Sequence, residues 1–277
     1  MAFMSLNDYN DVRIDMPWGH ISGRWYGNGN VRPILAIHGW QHNRRTFDAL
    51  IPLMPSYVGL LCIDLPGHGN SSNLQTGRQY SINDYVLIIA RIMKEYKWTR
   101  MSLMGHSMGA AISLIYAALY PYTVDIIISL DSIMPPLQTL AIIDHVEDNP
   151  EQHLIDDDDS EPHTSQVHNL SVDIARRIGN IPFLVINGSD SSYIDKNFNY
   201  VVAILSEHNW YFEYHTLPGN HDVHLTNAAE CSKYIVPFIR RHRPQIPTSC
   251  SLLNEKSALR RKLKQQQEQK SSVASKL

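Results

Sequence analysis

The sequence predicts an α/β fold, a mostly parallel central sheet with helices on both faces, and three observations predict it. Short apolar runs alternate with helical patterns along the chain, at Arg32–Ile37, Leu60–Leu65, Arg100–Met104, Val124–Leu130 and Ile181–Gly188. The run Ile181–Gly188 is apolar almost throughout, as a parallel strand covered on both faces must be. Between the third run and the helical stretch Ala110–Leu119 lies Gly105-His106-Ser107-Met108-Gly109, a G-x-S-x-G spacing at a strand-to-helix turn.

The elements follow in chain order. Strands near Val12–Pro17 and His20–Tyr26 are expected to form an antiparallel edge. After His42 a helix is expected to carry Phe47, Leu50 and Ile51 inward. A second helix, from Ile82 to about Lys97, repeats apolar residues at Ile82, Tyr85, Val86, Ile89, Ile92, Met93 and Tyr96. That stripe reads as core packing. Trp210–Leu217 reads as a late strand rich in aromatic residues, and a helical pattern runs from Thr226 to about Arg241.

Length and composition describe one domain and a tail. The 277 residues divide into a domain at 1–243, with core 12–131 and 181–243 around an insertion at 132–180, and a tail at 244–277. A hydrophobic content of 43% and a charged content of 18% are ordinary for a globular chain. A net charge of -3 gives no reason to expect a nucleic-acid partner. The 3 cysteines show no C-x-x-C spacing, which points to a reducing compartment and away from a disulfide framework or zinc site. The first residues lack a basic start and a long apolar run, so no secretory signal is expected, and no stretch reads as an integral membrane span.

The G-x-S-x-G turn reads as a nucleophile elbow. Ser107 sits at its tip, and Gly105 and Gly109 stand where side chains would collide with neighbouring backbone. A serine hydroxyl needs a base, and the base needs an orienting carboxylate, in the order Ser, acid, His on this type of sheet. His221 is the preferred base because it follows the Pro218-Gly219-Asn220 turn directly. His224, the other histidine of that loop, is expected to pack beneath it, and Asp222 to point elsewhere. Asp190 is the preferred acid, just past the end of Ile181–Gly188. Asp131, which ends the preceding strand, and Asp195 are the alternatives. The oxyanion hole is assigned to the N–H groups of Met108 and Trp40, with Gly39 allowing close backbone approach. The turn Pro66-Gly67-His68-Gly69 lacks a phosphate-binding spacing and reads as support for the site, and Asp64 before it as structural.

With these residues in hand, the chain resembles the α/β-hydrolases. Within them it is similar to the serine hydrolase-like (kraken-like) family, through Pro17–Gly27, His38-Gly39-Trp40, Ile63–Gly69, Gly105–Gly109 and Pro218–His224. These segments cover the core from about Val12 to Arg241. The resemblance implies Ser107 as nucleophile, suggests His221 as base, and implies a serine hydrolase with no cofactor and no metal. Relatives carry a longer helical cap between the sixth and seventh strands, so Ser132–Asn180 is expected to be a shortened lid. Its Asp156–Asp159 run, flanked by His153 and His163, reads as a solvated acidic loop rather than a metal site.

The tail is polar and basic over Leu259–Lys270 and is expected to be a mobile arm. It stops at Ser275-Lys276-Leu277, which reads as a peroxisomal address bound by the import receptor. The combined expectation is a serine hydrolase of small acyl esters or thioesters in peroxisomes, with room for a cytoplasmic pool. The alternative is an α/β-hydrolase-fold binding protein that has lost the chemistry. Epoxide hydrolases and dehalogenases of this fold use a carboxylate at the elbow, and Ser107 speaks against them.

Overall fold

The computed structural model describes residues 2–74, 81–133, 172–194 and 196–243. Eight strands form one sheet in the order β1-β2-β4-β3-β5-β6-β7-β8. They are β1 (Tyr9–Met16), β2 (Gly19–Gly27), β3 (Ile34–Ile37), β4 (Gly59–Ile63), β5 (Met101–His106), β6 (Val124–Leu130), β7 (Phe183–Gly188) and β8 (Phe212–Leu217). The first two run antiparallel, and β2 also pairs antiparallel with β4. From β4 to β8 every pairing is parallel. The cap residues 134–171, the tail and Asp195 lie outside the described residues. Among the described residues no helix is long and apolar enough to cross a membrane.

The two-residue period of a strand divides the core into two halves. Leu35, Ile37, Leu61, Ile63 and Leu103 face one side. There they meet α1 (Ile82–Tyr96), α2 (Met108–Leu119) and α3 (Lys196–His208). Ile34, Ala36, Leu60, Cys62 and Met104 face the other side, under Phe47, Leu50 and α4 (Ala228–His242). The strands β3 to β7 are buried along their whole length, so their sequences carry little alternation.

Helix α1 starts where its sequence says it should. Ser81 accepts the Asp84 N–H at 3.3 Å while the Asp84 carboxylate takes the Ser81 N–H at 3.1 Å, a capping box. The helix expected after His42 forms instead as two single turns of 3-10 helix, Arg44–Phe47 and Ile51–Leu53. Pro52 sits at the start of the second turn and Pro55 follows it, which prevents a continuous helical ladder. Phe47, Leu50 and Ile51 are nevertheless fully buried, so the inward face was read correctly even though the element was not.

Because β3 and β5 to β8 are parallel, their carboxyl ends meet along one edge of the sheet. His38, Ser107, Asp131, Asp190 and His221 all follow those ends. In open α/β sheets this edge, near the point where the strand order reverses, is where ligands bind.

Candidate active site

Ser107 occupies the turn between β5 and α2 with φ +52° and ψ -117°. A positive φ is rare for a residue with a side chain and persists only where the surroundings hold it. Here the Ser107 N–H donates to Leu130 O at 3.0 Å, and its carbonyl accepts from Ala110 and Ala111 at 2.9 and 3.1 Å. The glycines around it leave no room for side chains. A Cβ on Gly105 would lie 2.3 Å from the Ala110 nitrogen, and one on Gly109 would lie 2.1 Å from the Ile37 carbonyl oxygen. Both neighbours are backbone and cannot swing aside. Gly109→Ala is therefore expected to destabilise the fold by about 3 kcal/mol or more. Thermal unfolding checks this, and an unchanged Tm would contradict the packing.

The structure brings Ser107, His221 and Asp131 into one hydrogen-bonded line. His221 Nε2 lies 2.9 Å from Ser107 Oγ, and His221 Nδ1 lies 2.5 Å from Asp131 Oδ2. A carboxylate can only accept, so Nδ1 carries the proton and Nε2 is free to accept from the serine hydroxyl. Asp131 is 1% exposed. Its other contacts are the Gly188 N–H at 2.7 Å and the Ser191 hydroxyl at 2.5 Å. A buried carboxylate needs such donors to remain charged.

The preferred acid of the sequence reading is thus corrected. Asp190 does not reach His221. Its N–H donates to Gly219 O at 2.9 Å, and its carboxylate accepts the hydroxyl of exposed neighbour Ser189 at 3.1 Å. Asp131 takes the place at the imidazole because its own left-handed backbone, φ +54°, turns the side chain toward the β7 end and the His221 loop. The loops are tightly fitted there: a Cβ on Gly188 would lie 2.2 Å from Asn220 O.

The backbone assigned to the oxyanion hole lies beside the serine. A Cβ on Gly39 would sit 3.1 Å from Ser107 Cβ, which places the start of the Trp40 peptide beside Ser107. Met108 opens α2, where the first N–H groups lack intrahelical partners. Three side chains that carry no local signal also touch the site. Ser191 holds Asp131, the Tyr193 ring lies 4.3 Å from that of His221, and His106 Nε2 lies 3.1 Å from His221 O. Only tertiary packing brings them there.

Two histidines beside this line, His224 and His106, are buried. His224 is fully buried, its Nε2 2.8 Å from Thr46 Oγ1, and packs on Phe47 and His106. Burial, with the nearby His106, His42 and His221, holds its pKa well below the usual range. Burial and the neighbouring His221 lower that of His106 to about 3. Asp64 is fully buried, ion-paired with Arg44 and bonded to the Arg44 and Asn70 N–H groups at 2.7 and 2.9 Å.

Among the described residues, His42, His106 and Asp222 bring ligand atoms within 4.8 Å of one another. The trio suits a cation poorly. The His42 and His106 rings are stacked at 29°, so their in-plane lone pairs do not converge on one point. His106 Nε2 also faces a carbonyl oxygen and must carry a proton to donate to it.

Comparison with known proteins agrees with this architecture. Residues 32–150 match the alpha/beta hydrolase fold family. A Drosophila melanogaster protein named "Probable serine hydrolase" is 41% identical over 139 residues, covering 50% of this chain and 42% of that protein. The human "Serine hydrolase-like protein" is 36% identical over 123 residues, covering 44% of this chain and 61% of that one. The chain therefore spans less than two thirds of the length of these relatives. A hypothetical protein from Pseudomonas aeruginosa of known crystal structure superposes with a TM-score of 0.65 at 19% identity, over 83% of this chain and 99% of that one. The chain has the α/β-hydrolase fold, matches that fold family over residues 32–150 and is similar to the serine hydrolase-like proteins.

Proposed function

We propose that the chain is a serine hydrolase that cleaves acyl ester or thioester bonds through an acyl-enzyme. One observation carries the reading: the line Ser107 Oγ to His221 Nε2 at 2.9 Å and His221 Nδ1 to Asp131 at 2.5 Å, with the serine in a strained turn. In this reading Ser107 attacks the acyl carbonyl as His221 takes its proton. Asp131 keeps the imidazole in the Nδ1–H tautomer and stabilises the imidazolium that forms. The N–H groups of Trp40 and Met108 receive the negative charge on the former carbonyl oxygen. His221 then gives its proton to the leaving alcohol or thiol, and activates the water that releases the acid.

The test is fluorophosphonate labelling of the folded chain, followed by a screen of acyl esters and thioesters. Labelling that depends on Ser107 and His221 supports the reading. A folded wild type that remains unlabelled turns it toward a binding protein that has kept only the fold. The same proposal places the enzyme in peroxisomes through Ser275-Lys276-Leu277, which lie outside the described residues. A fluorescent protein fused to the N-terminus is expected to appear in puncta with a peroxisomal marker. Deletion of Leu277 is expected to disperse it, and a diffuse signal from the intact fusion counts against the address.

A further inference from the structure

The loop after β3 has no regular secondary structure over residues 38–43. His42 N–H closes a turn on Gly39 O at 3.2 Å. Gln41 stands at φ +60°, a left-handed conformation unfavourable for a side chain without glycine's freedom. The Trp40 side chain is 55% exposed. Neither a regular ladder nor burial of Trp40 therefore sets the direction of the Trp40 N–H.

Two histidines tie this loop to the one after β4. The Gln41 N–H lies 3.3 Å from His68 Nε2, and Pro66 O lies 3.0 Å from His68 Nδ1. A backbone N–H can only donate and a carbonyl can only accept. Both contacts therefore require the same neutral tautomer, with the proton on Nδ1 and the lone pair on Nε2. His38 repeats the pattern in the opposite direction. Its Nδ1–H donates to Gly39 O at 2.7 Å and its Nε2 accepts the Leu65 N–H at 3.0 Å. Burial lowers the His38 pKa to about 4, so it holds this form at neutral pH. The His68 ring is itself held in place, 5.0 Å from that of His38, 5.5 Å from that of Trp40 and 6.4 Å from that of Tyr85 on α1.

We propose that His68 is a positioning residue, whose neutral Nε2 latches the Gln41 N–H and thereby aims the Trp40 N–H at the oxyanion. The proposal rests on the hydrolase reading above. An imidazolium has two N–H groups and no lone pair, so a protonated His68 would set a donor against the Gln41 donor and open the latch. The groups around it are His38 from the end of β3, Tyr85 from α1, and Trp40 and Gln41 from the loop itself.

Two variants test this. His68→Phe keeps a ring without an acceptor. His68→Gln keeps a side-chain acceptor. Hydrolysis of p-nitrophenyl acetate from pH 5 to 8 and amide hydrogen exchange at Gln41 are measured for each. His68→Phe is expected to lower kcat by about 10- to 100-fold with KM little changed, since one oxyanion donor is misaimed rather than removed. It is also expected to accelerate exchange at Gln41. His68→Gln is expected to restore most of kcat. Wild-type kcat and wild-type Gln41 protection in His68→Phe would overturn the proposal. A wild type inert toward the ester would overturn the hydrolase reading instead, and exchange at Gln41 would still decide whether the latch exists.

Discussion

Ser107→Ala is expected to abolish fluorophosphonate labelling and to lower kcat on any acyl ester the wild type accepts by about 10³- to 10⁶-fold. The hydroxyl is the only atom lost, and it is the atom that His221 Nε2 meets at 2.9 Å. The backbone bonds that hold the turn, from Ser107 to Leu130, Ala110 and Ala111, do not involve the side chain. Alanine also keeps the Cβ, so the cost of the positive φ is carried by both forms. Stability should thus stay within about 0.5 kcal/mol of the wild type while activity disappears. Labelling and hydrolysis are read beside thermal unfolding on the same preparation. Residual turnover near the wild-type rate would mean that another nucleophile does the work.

Asp131→Asn is expected to lower kcat by about 10⁴-fold, whereas Asp190→Asn should change it by no more than about twofold. The asymmetry follows from what each carboxylate touches. Asp131 receives three donors, the His221 Nδ1–H, the Gly188 N–H and the Ser191 hydroxyl. An amide in its place offers one acceptor oxygen and one donating nitrogen. Whichever way it turns, an N–H group faces a donor. If that donor is His221, the imidazole is driven to the other tautomer and its Nε2–H can no longer accept from Ser107. Asp190 touches Ser189 and the Gly219 carbonyl, neither of which belongs to the line. The pair of variants separates the two carboxylates in one kinetic comparison. A large loss in Asp190→Asn with little in Asp131→Asn would reverse the assignment.

Much of the site could be read directly along the chain. The elbow is largely a local object, because its strand, its two glycines and its helix are contiguous and a Cβ on Gly105 would meet Gly109 and Ala110, although one on Gly109 would meet Ile37 of β3. His221 was legible for a similar reason, since a Pro-Gly-Asn turn after a late strand exposes the next side chain. The buried strands announced themselves by their apolar runs. The segment after His42 was harder, because inward-facing Phe47, Leu50 and Ile51 fit a helical period as well as they fit two separate turns. The prolines there outweighed the period.

Asp131 and Asp190 show where such reading stops. Both follow the carboxyl ends of adjacent buried strands, and both stand in the order that the chemistry requires. Their local sequences do not distinguish them. The choice depends on β6 lying between β5 and β7, on the register that pairs Leu130 with Ile186, and on the backbone of Asp131 turning left-handed. The contacts of Ser191, Tyr193, His38 and His68 depend in the same way on loops from different strands meeting at one edge. The sequence by itself determined the fold class and marked Ser107, His221 and the Trp40 and Met108 backbone as candidates, because each is encoded in neighbouring residues. Only the tertiary structure decided which carboxylate meets His221 and which side chains hold the loops. Those are contacts across roughly 27 to 114 residues of chain, made by packing rather than by local propensity.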